Sequence, residues 1–323
     1  MSHEIESMFS VGVLPWHGLG HVLDGAPTCA EALVLAGMNW AVNLRPMCTT
    51  IADGGVSLAV PGHNAVIRMD TGAVLGVVGE DFRPLQNVAA FGFFEPLVSS
   101  GLVTLETAGV LRAGRRVWIM ARVAGDPEEI AGDQIDPYVL FAHGHDGSLA
   151  VHCGFNATRV VCSNTLGLAL RSRDGMRALR HTSGLAVDLD DLRAVLESHI
   201  RCFRDSAEAW RTLSEHTCTD ADFKAYALTV AAVARGEADA EIREAAPIGR
   251  KGAKLLEQVT PLFEGGAGND RPGVRGTWWA AYNAFTQWQT HMRGSGQGSA
   301  AEQAERRFEA VNLGDGRRLA MRA

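Results

Sequence analysis

What the sequence lacks narrows its class first. No pair among its six cysteines, at 29, 48, 153, 162, 202 and 218, has C-x-x-C spacing. That removes a zinc ribbon and a thioredoxin-type redox site. Six thiols in 323 residues are also too sparse for a disulfide scaffold, so reduced cysteines are expected. No apolar run approaches the ~20 residues that span a bilayer. The opening Met-Ser-His-Glu-Ile-Glu carries acids where a signal peptide needs bases. The expectation is a cytoplasmic protein, neither exported nor membrane-embedded. Nucleotide loops are missing as well. Gly76-Val77-Val78-Gly79 has no Lys-Ser/Thr ending, and Gly18-Leu19-Gly20 is too short for a dinucleotide fingerprint. No serine sits in a Gly-x-Ser-x-Gly elbow, and there is no internal repeat. No cofactor and no resident metal are expected. Strong charge is lacking too: the net value is −7, so a polyanionic partner would need a local basic patch.

What is present is core material. Hydrophobic residues make up 46% and charged residues 21% of the chain, close to globular averages. Thr28 with Glu31 forms a capping-box pattern for a helix through Met38. Asp70-Thr71-Gly72 joins two strands as a hairpin, and Arg112-Ala113-Gly114-Arg115 joins two more. Between the hairpins, Asn87 to Ser99 reads as a helix carrying Phe91, Phe93 and Phe94. The strand Arg116 to Val123 alternates poorly and is expected to be covered on both faces. Tyr138 to His143 and Leu149 to Phe155 read as strands flanking the turn His145-Asp146-Gly147-Ser148. Asn164 to Arg173 has helical spacing.

From Asp188 onward, apolar residues recur at three and four. Helices are expected from Asp220 to Ala234, over 253–263 and over 277–291, with a last charged one from Ala300 to Val311. The Trp278, Tyr282, Phe285 and Trp288 side chains would share one face of the third of these, as core or interface. Strands and helices are segregated, which selects α+β. The expected order is an antiparallel β-rich N-terminal domain, residues 1–185, followed by a helical C-terminal region, residues 186–323. A Gly-rich linker is expected near 265–276.

Several stretches together resemble a known family. They are Pro15-Trp16-His17-Gly18-Leu19-Gly20, Val74-Leu75-Gly76-Val77-Val78, Gly114-Arg115-Arg116-Val117-Trp118, His145-Asp146-Gly147, Arg159-Val160-Val161-Cys162-Ser163-Asn164-Thr165-Leu166 and Arg180-His181-Thr182. Their order and spacing resemble the phage/plasmid-like proteins of domain of unknown function 932, over nearly the whole chain. His143 departs from that pattern. The resemblance implies a mobile-element protein in a bacterial cytoplasm, and no particular reaction.

Three constellations carry chemistry. Residues 156–181 hold Arg159, Arg171, Arg173, Arg177 and Arg180 against one acid, Asp174. Guanidinium groups suit bidentate phosphate contact, and on a helix positions 173, 177 and 180 would share a face. Three strands feeding an Arg-bearing helix loosely resemble the core of single-strand annealing proteins, a likeness of topology alone. Tyr138 and Phe155 would stack bases. The plainer alternative is a solvated basic face paired with the acidic 124–136 loop. The second constellation is Cys162, expected at a helix start that lowers its pKa. His181 would be its base and Asn164 its orienter or oxyanion donor; against this, Val160-Val161-Cys162 reads as buried. The third is His143, His145 and Asp146 with His152, where alternate strand residues face one way and could hold a metal. Turn aspartates more often bond their own backbone.

The leading expectation is a non-enzymatic nucleic-acid-handling protein that binds or anneals single strands, with no membrane role. The rivals are a Cys162/His181 hydrolase or transferase, and a protein-binding regulator or host-defence antagonist. A host protein would be the partner of the regulator, and a homo-oligomer is expected besides.

Overall fold

The computed structural model describes residues 5–12, 20–50, 57–125, 127–159, 164–166, 176–183, 185, 206–233, 250–292 and 303. In chain order the elements begin with β1 (Ile5–Val11), β2 (His21–Leu23), α1 (Cys29–Leu35), β3 (Val42–Thr50), β4 (Ser57–Arg68), β5 (Val74–Gly79), α2 (Asn87–Ser99), β6 (Val103–Leu111) and β7 (Arg116–Val123). Next come β8 (Glu128–Ile130), β9 (Asp133–Gly144), β10 (Val151–Arg159), β11 (Asn164–Leu166) and β12 (Met176–Leu179). Helices follow: α3 (206–215), α4 (Asp220–Val233), α5 (Arg250–Gly265) and α6 (Trp278–Gln287), the last running into a π-helical turn, Trp288–Met292. The chain is α+β, with most strands N-terminal and most helices C-terminal. No helix among the described residues is long and apolar enough to cross a membrane.

Two units divide the chain, and they are interleaved along it. The first comprises 1–124, 139–154 and 176–198; the second comprises 125–138, 155–175 and 199–323. In the first, strand neighbours run β12-β10-β9-β7-β6-β1-β2. The β1–β6, β6–β7 and β10–β12 pairs are antiparallel, and β1–β2 is parallel. A separate antiparallel sheet runs β3-β4-β5.

The caps and turns follow sequence chemistry. Thr28 and Glu31 form the expected capping box, with Glu31 Oε2 accepting from the Thr28 amide at 2.9 Å. Both expected hairpins form, around residues 69–72 and 112–115. The second turn is left-handed at Arg112 (φ 53°), Ala113 (φ 54°) and Gly114 (φ 93°). For the two non-glycine residues that conformation costs roughly 1–2 kcal/mol each. Helix α2 seats its phenylalanines on β9: Phe93 and Phe141 ring centres are 5.2 Å apart, and Phe94 and Phe141 6.1 Å. Consecutive residues Val117, Trp118 and Ile119 are buried, so β7 is covered on both faces as expected.

The second unit holds the tight hairpin β8–β9, whose turn residues Ala131 (φ 49°) and Gly132 (φ 82°) are both left-handed. That is the geometry that keeps a two-residue turn in step with strand twist. Aromatic rings pack its helices: Phe223 stacks on Phe263 at 4.2 Å, and Tyr226 meets Phe285 edge-on at 4.9 Å. The fully buried Asp133 carboxylate accepts from Trp279 Nε1 at 3.0 Å and from Arg271 Nη1 at 3.1 Å.

Three local expectations are corrected. Asn164–Leu166 is a strand paired with Ala157–Arg159, where a helix was expected. The 265–276 stretch is no linker: Asn269 is fully buried, and its Nδ2 donates to Leu262 O (2.8 Å) and Ala280 O (2.9 Å), tying α5 to α6. Finally, burial on α6 extends beyond the one face expected to carry Trp278, Tyr282, Phe285 and Trp288: Trp279 is fully buried, because the helix is covered nearly all round from Trp279 to Thr286.

Candidate functional site

Among the described residues of the first unit, three histidines form a buried cluster. Strand alternation places His143 and His145 on one side of β9 and just beyond its end, with ring centres 4.7 Å apart and perpendicular. His181, just past β12, brings its ring centre to 6.1 Å from His143. The first two are fully buried and the third is 7% exposed. Packing holds them from several elements. Trp40 lies 5.2 Å from His145, Phe141 6.2 Å from His143, and Phe82 stacks on His181 at 4.7 Å. Gly76 of β5 lets the 145–149 turn approach; a Cβ there would sit 2.6 Å from the Asp146 backbone.

The hydrogen bonds fix protons. Asn87, the first residue of α2, donates Nδ2 to Met38 O (3.0 Å) and Trp40 O (3.2 Å), so its Oδ1 is the acceptor facing His145. His145 Nε2, at 3.0 Å, therefore carries the hydrogen. Its Nδ1 then presents a lone pair, buried and without a hydrogen-bond partner among the described residues. His181 Nδ1 lies 3.2 Å from Arg83 O, an acceptor only, so Nδ1 donates. Among the described residues neither ring nitrogen of His143 has a hydrogen-bond partner. A buried polar group left unpaired costs about 1–3 kcal/mol, which is a large outlay in one spot.

Electrostatics keep the three rings neutral. Burial, then the neighbouring histidines, hold His143 well below the ordinary imidazole range. Burial, with His181 and Arg68 nearby, lowers His145 to about 3, although Asp146 pulls the other way. Burial also lowers His181, opposed by the carbonyls of Arg83 and Leu149. Arg68 anchors the surrounding wall. Its guanidinium lies 4.3 Å over Trp40, bonds Glu6 at 2.7 Å and grips Asp70 at 2.8 and 3.1 Å. Gly114 of the left-handed turn packs against Arg68 and Trp40; a Cβ there would meet them at 3.1 and 3.2 Å.

The residues singled out from sequence fare unevenly. Arg171, Arg173 and Cys162 lie outside the described residues. Arg159 sits on β10 opposite Asn164, and Arg177 on β12 opposite Cys153, the first pair in the second unit and the other in the first. Since 176–179 is a strand, the helix that would align Arg177 with Arg180 does not form there. Arg180 follows it with an exposed side chain. Phe155 lies on β10. Tyr138 is buried, 8% exposed, and is not open for base stacking. The helix start expected to activate Cys162 is replaced by β11 at 164–166. Buried Cys153 is no substitute nucleophile, since burial pushes its thiol up to about 12.

His143 and His145 do share a face, as alternation required, but His152 is not their third member; His181 is. No group of three or more His, Cys, Asp or Glu among the described residues is placed to hold a metal ion. Asp146 Oδ1 accepts from Ser148 N (2.9 Å) and Ser148 Oγ (2.7 Å), which is the turn role its type favours. Sequence reasoning missed Asn87, Trp40 and Arg68, which lie far away along the chain.

Neither a curated protein nor a solved structure matches the chain. A family model does, over residues 74–312, which includes His143, His145, His181, Asn87 and all five arginines. That span exceeds two thirds of the sequence, and the chain belongs to the family described as Domain of unknown function (DUF932).

Proposed function

We propose that this chain is a nucleic-acid-handling protein that takes single strands, for binding or annealing, in the service of a phage or plasmid within a bacterial cytoplasm. The observation that carries the reading is charge: five arginines against one acid over residues 156–181 of a chain whose net charge is −7. The strand assignments favour a sheet-borne version over a helical one. Arg159 and Arg177 lie on hydrogen-bonded strands and Arg180 is exposed, and sheet surfaces with basic and aromatic residues are a recurrent platform for unpaired strands. Phe155 on β10 is the remaining stacking candidate, with Tyr138 withdrawn into the core. Self-association belongs to the same reading.

The test is a gel-shift titration of the full chain against labelled single- and double-stranded oligonucleotides. Binding that weakens steeply with salt is expected. Absence of any complex at low salt would remove the proposal.

One observation favours a second reading, an enzyme using Cys162, His181 and Asn164. The Arg83 carbonyl holds the proton of His181 on Nδ1 and leaves Nε2 as the basic nitrogen. Labelling with a thiol-reactive probe near neutral pH decides it. A Cys162 that reacts no faster than free cysteine excludes it.

A further inference from the structure

Two segments of the first unit are zipped together beside the histidine cluster. The Arg83 amide donates to His181 O at 2.9 Å, and His181 Nδ1 returns a bond to Arg83 O at 3.2 Å. Phe82 stacks on the His181 ring. Residues 80–86 and 180–183 are thus held by backbone, ring and imidazole contacts that all centre on one histidine. Behind it stand His143 and His145, close-packed and fully buried.

This core has no room for a charge. The charged groups on the elements around it are Asp146 beyond β9, Arg68 of β4, Glu6 of β1, Asp70 after β4, and Glu80, Asp81 and Arg83 before α2. Arg115 and Arg116 at the β6–β7 turn, Arg122 of β7, Glu95 of α2, His152 of β10, Arg177 of β12 and Arg180 after it lie on the same elements. Arg68 is occupied by Glu6 and Asp70, and Asp146 by Ser148. Among the described residues the ring nitrogens are bonded to Asn87 Oδ1 and to backbone oxygen, and the others are unpartnered. Among the described residues no carboxylate is hydrogen-bonded to a ring nitrogen of the three, and Asp146, whose charge favours the protonated form of His145, is outweighed there by burial. A proton entering here brings a poorly compensated charge into a buried core next to two further imidazoles.

We propose that His143, His145 and His181 form a proton-operated latch. When neutral, they hold the 80–86 loop against the 180–183 segment; when one takes up a proton, the two segments part. Acidification then releases two exposed arginines, Arg83 and Arg180, from a fixed spacing. The cluster would act as a pH sensor, a role histidine fills in other switches. The inference stands on the cluster alone and does not need the nucleic-acid reading.

Amide hydrogen exchange of the full chain from pH 7.5 to 4.5, corrected for intrinsic rates, tests it. The Arg83 amide reports directly, because it donates across the zipped pair. Its opening constant is expected to rise about tenfold per pH unit below roughly 6.5 for each proton taken up. Amides in the β6–β7 pair should stay protected over the same range. A flat corrected profile for Arg83 would overturn the proposal, and so would loss in step with β6–β7, which would mean general unfolding. A second arm uses His143→Phe, whose ring can pack beside Phe141. A shallower pH profile is expected, and an unchanged one would count against the cluster. If that variant does not fold, the wild-type profile decides alone.

Discussion

Asn87 is the residue on which the proton arrangement depends. One side chain bonds two carbonyls and one imidazole, and so assigns the tautomer of His145. Asn87→Ala should cost roughly 3 kcal/mol, since it strips three buried groups of their partner at once. Urea denaturation would read the loss, and imidazole 15N shifts should show His145 leaving its Nε2–H form. The histidines also fix the sign of the pH dependence. All three titrate below the ordinary range when folded, whereas the unfolded chain titrates near 6.5. The unfolded state therefore binds more protons once the pH drops under about 6.5. Stability should fall as pH falls through that value, by up to about 1.4 kcal/mol per pH unit per histidine, and for His145 down to about 3. Melting temperatures measured from pH 7 to 5, above the carboxylate range, would show the slope. A constant value would contradict it.

Elements were legible from sequence where local chemistry and packing agree. The Asn87–Ser99 helix appears with the bounds read from its apolar spacing, and both hairpins form at the turns that glycine and aspartate mark. The Thr28 capping box is present, although α1 stops at Leu35. Spacing misled at residues 164–166. Leu166 and Leu170 are four apart, which suits a helix, but β10 offers Ala157–Arg159 as a hydrogen-bonding partner and Asn164–Leu166 takes it. A strand so short has no period of its own to read. Glycine content misled at 265–276, because only the fold reveals that Asn269 is buried and bonded on both sides. The β9–α2 contact gives this scale its prediction. Phe141→Ala should cost about 3–5 kcal/mol, as removal of a fully buried ring packed on Phe93 and Phe94 leaves a cavity. Chemical denaturation checks it, and a loss below 1 kcal/mol would mean that the seam is not core.

At the scale of the whole molecule, the units are built from interleaved segments, which no local pattern encodes. The same holds for the site. Alternation paired His143 with His145, and the motifs holding His145 and His181 could each be noticed alone. Their meeting with Asn87, Trp40 and Arg68 depends on contacts between distant parts of the chain. The arginine excess was legible by counting, yet its geometry was not, because the expected helix is strand at 176–179. Arg180→Ala should leave stability within about 0.5 kcal/mol, as for exposed sites generally. If Arg180 touches phosphate, the variant should lower the salt slope of nucleic-acid binding by about 1.

The most direct measurement is a fluorescence-anisotropy titration of the full chain against a labelled single-stranded oligonucleotide across a salt series. Saturable binding at low salt is expected, with log affinity falling linearly in log salt by about 0.7 for each phosphate neutralised. A chain that leaves the oligonucleotide free even at the lowest salt contradicts the nucleic-acid function.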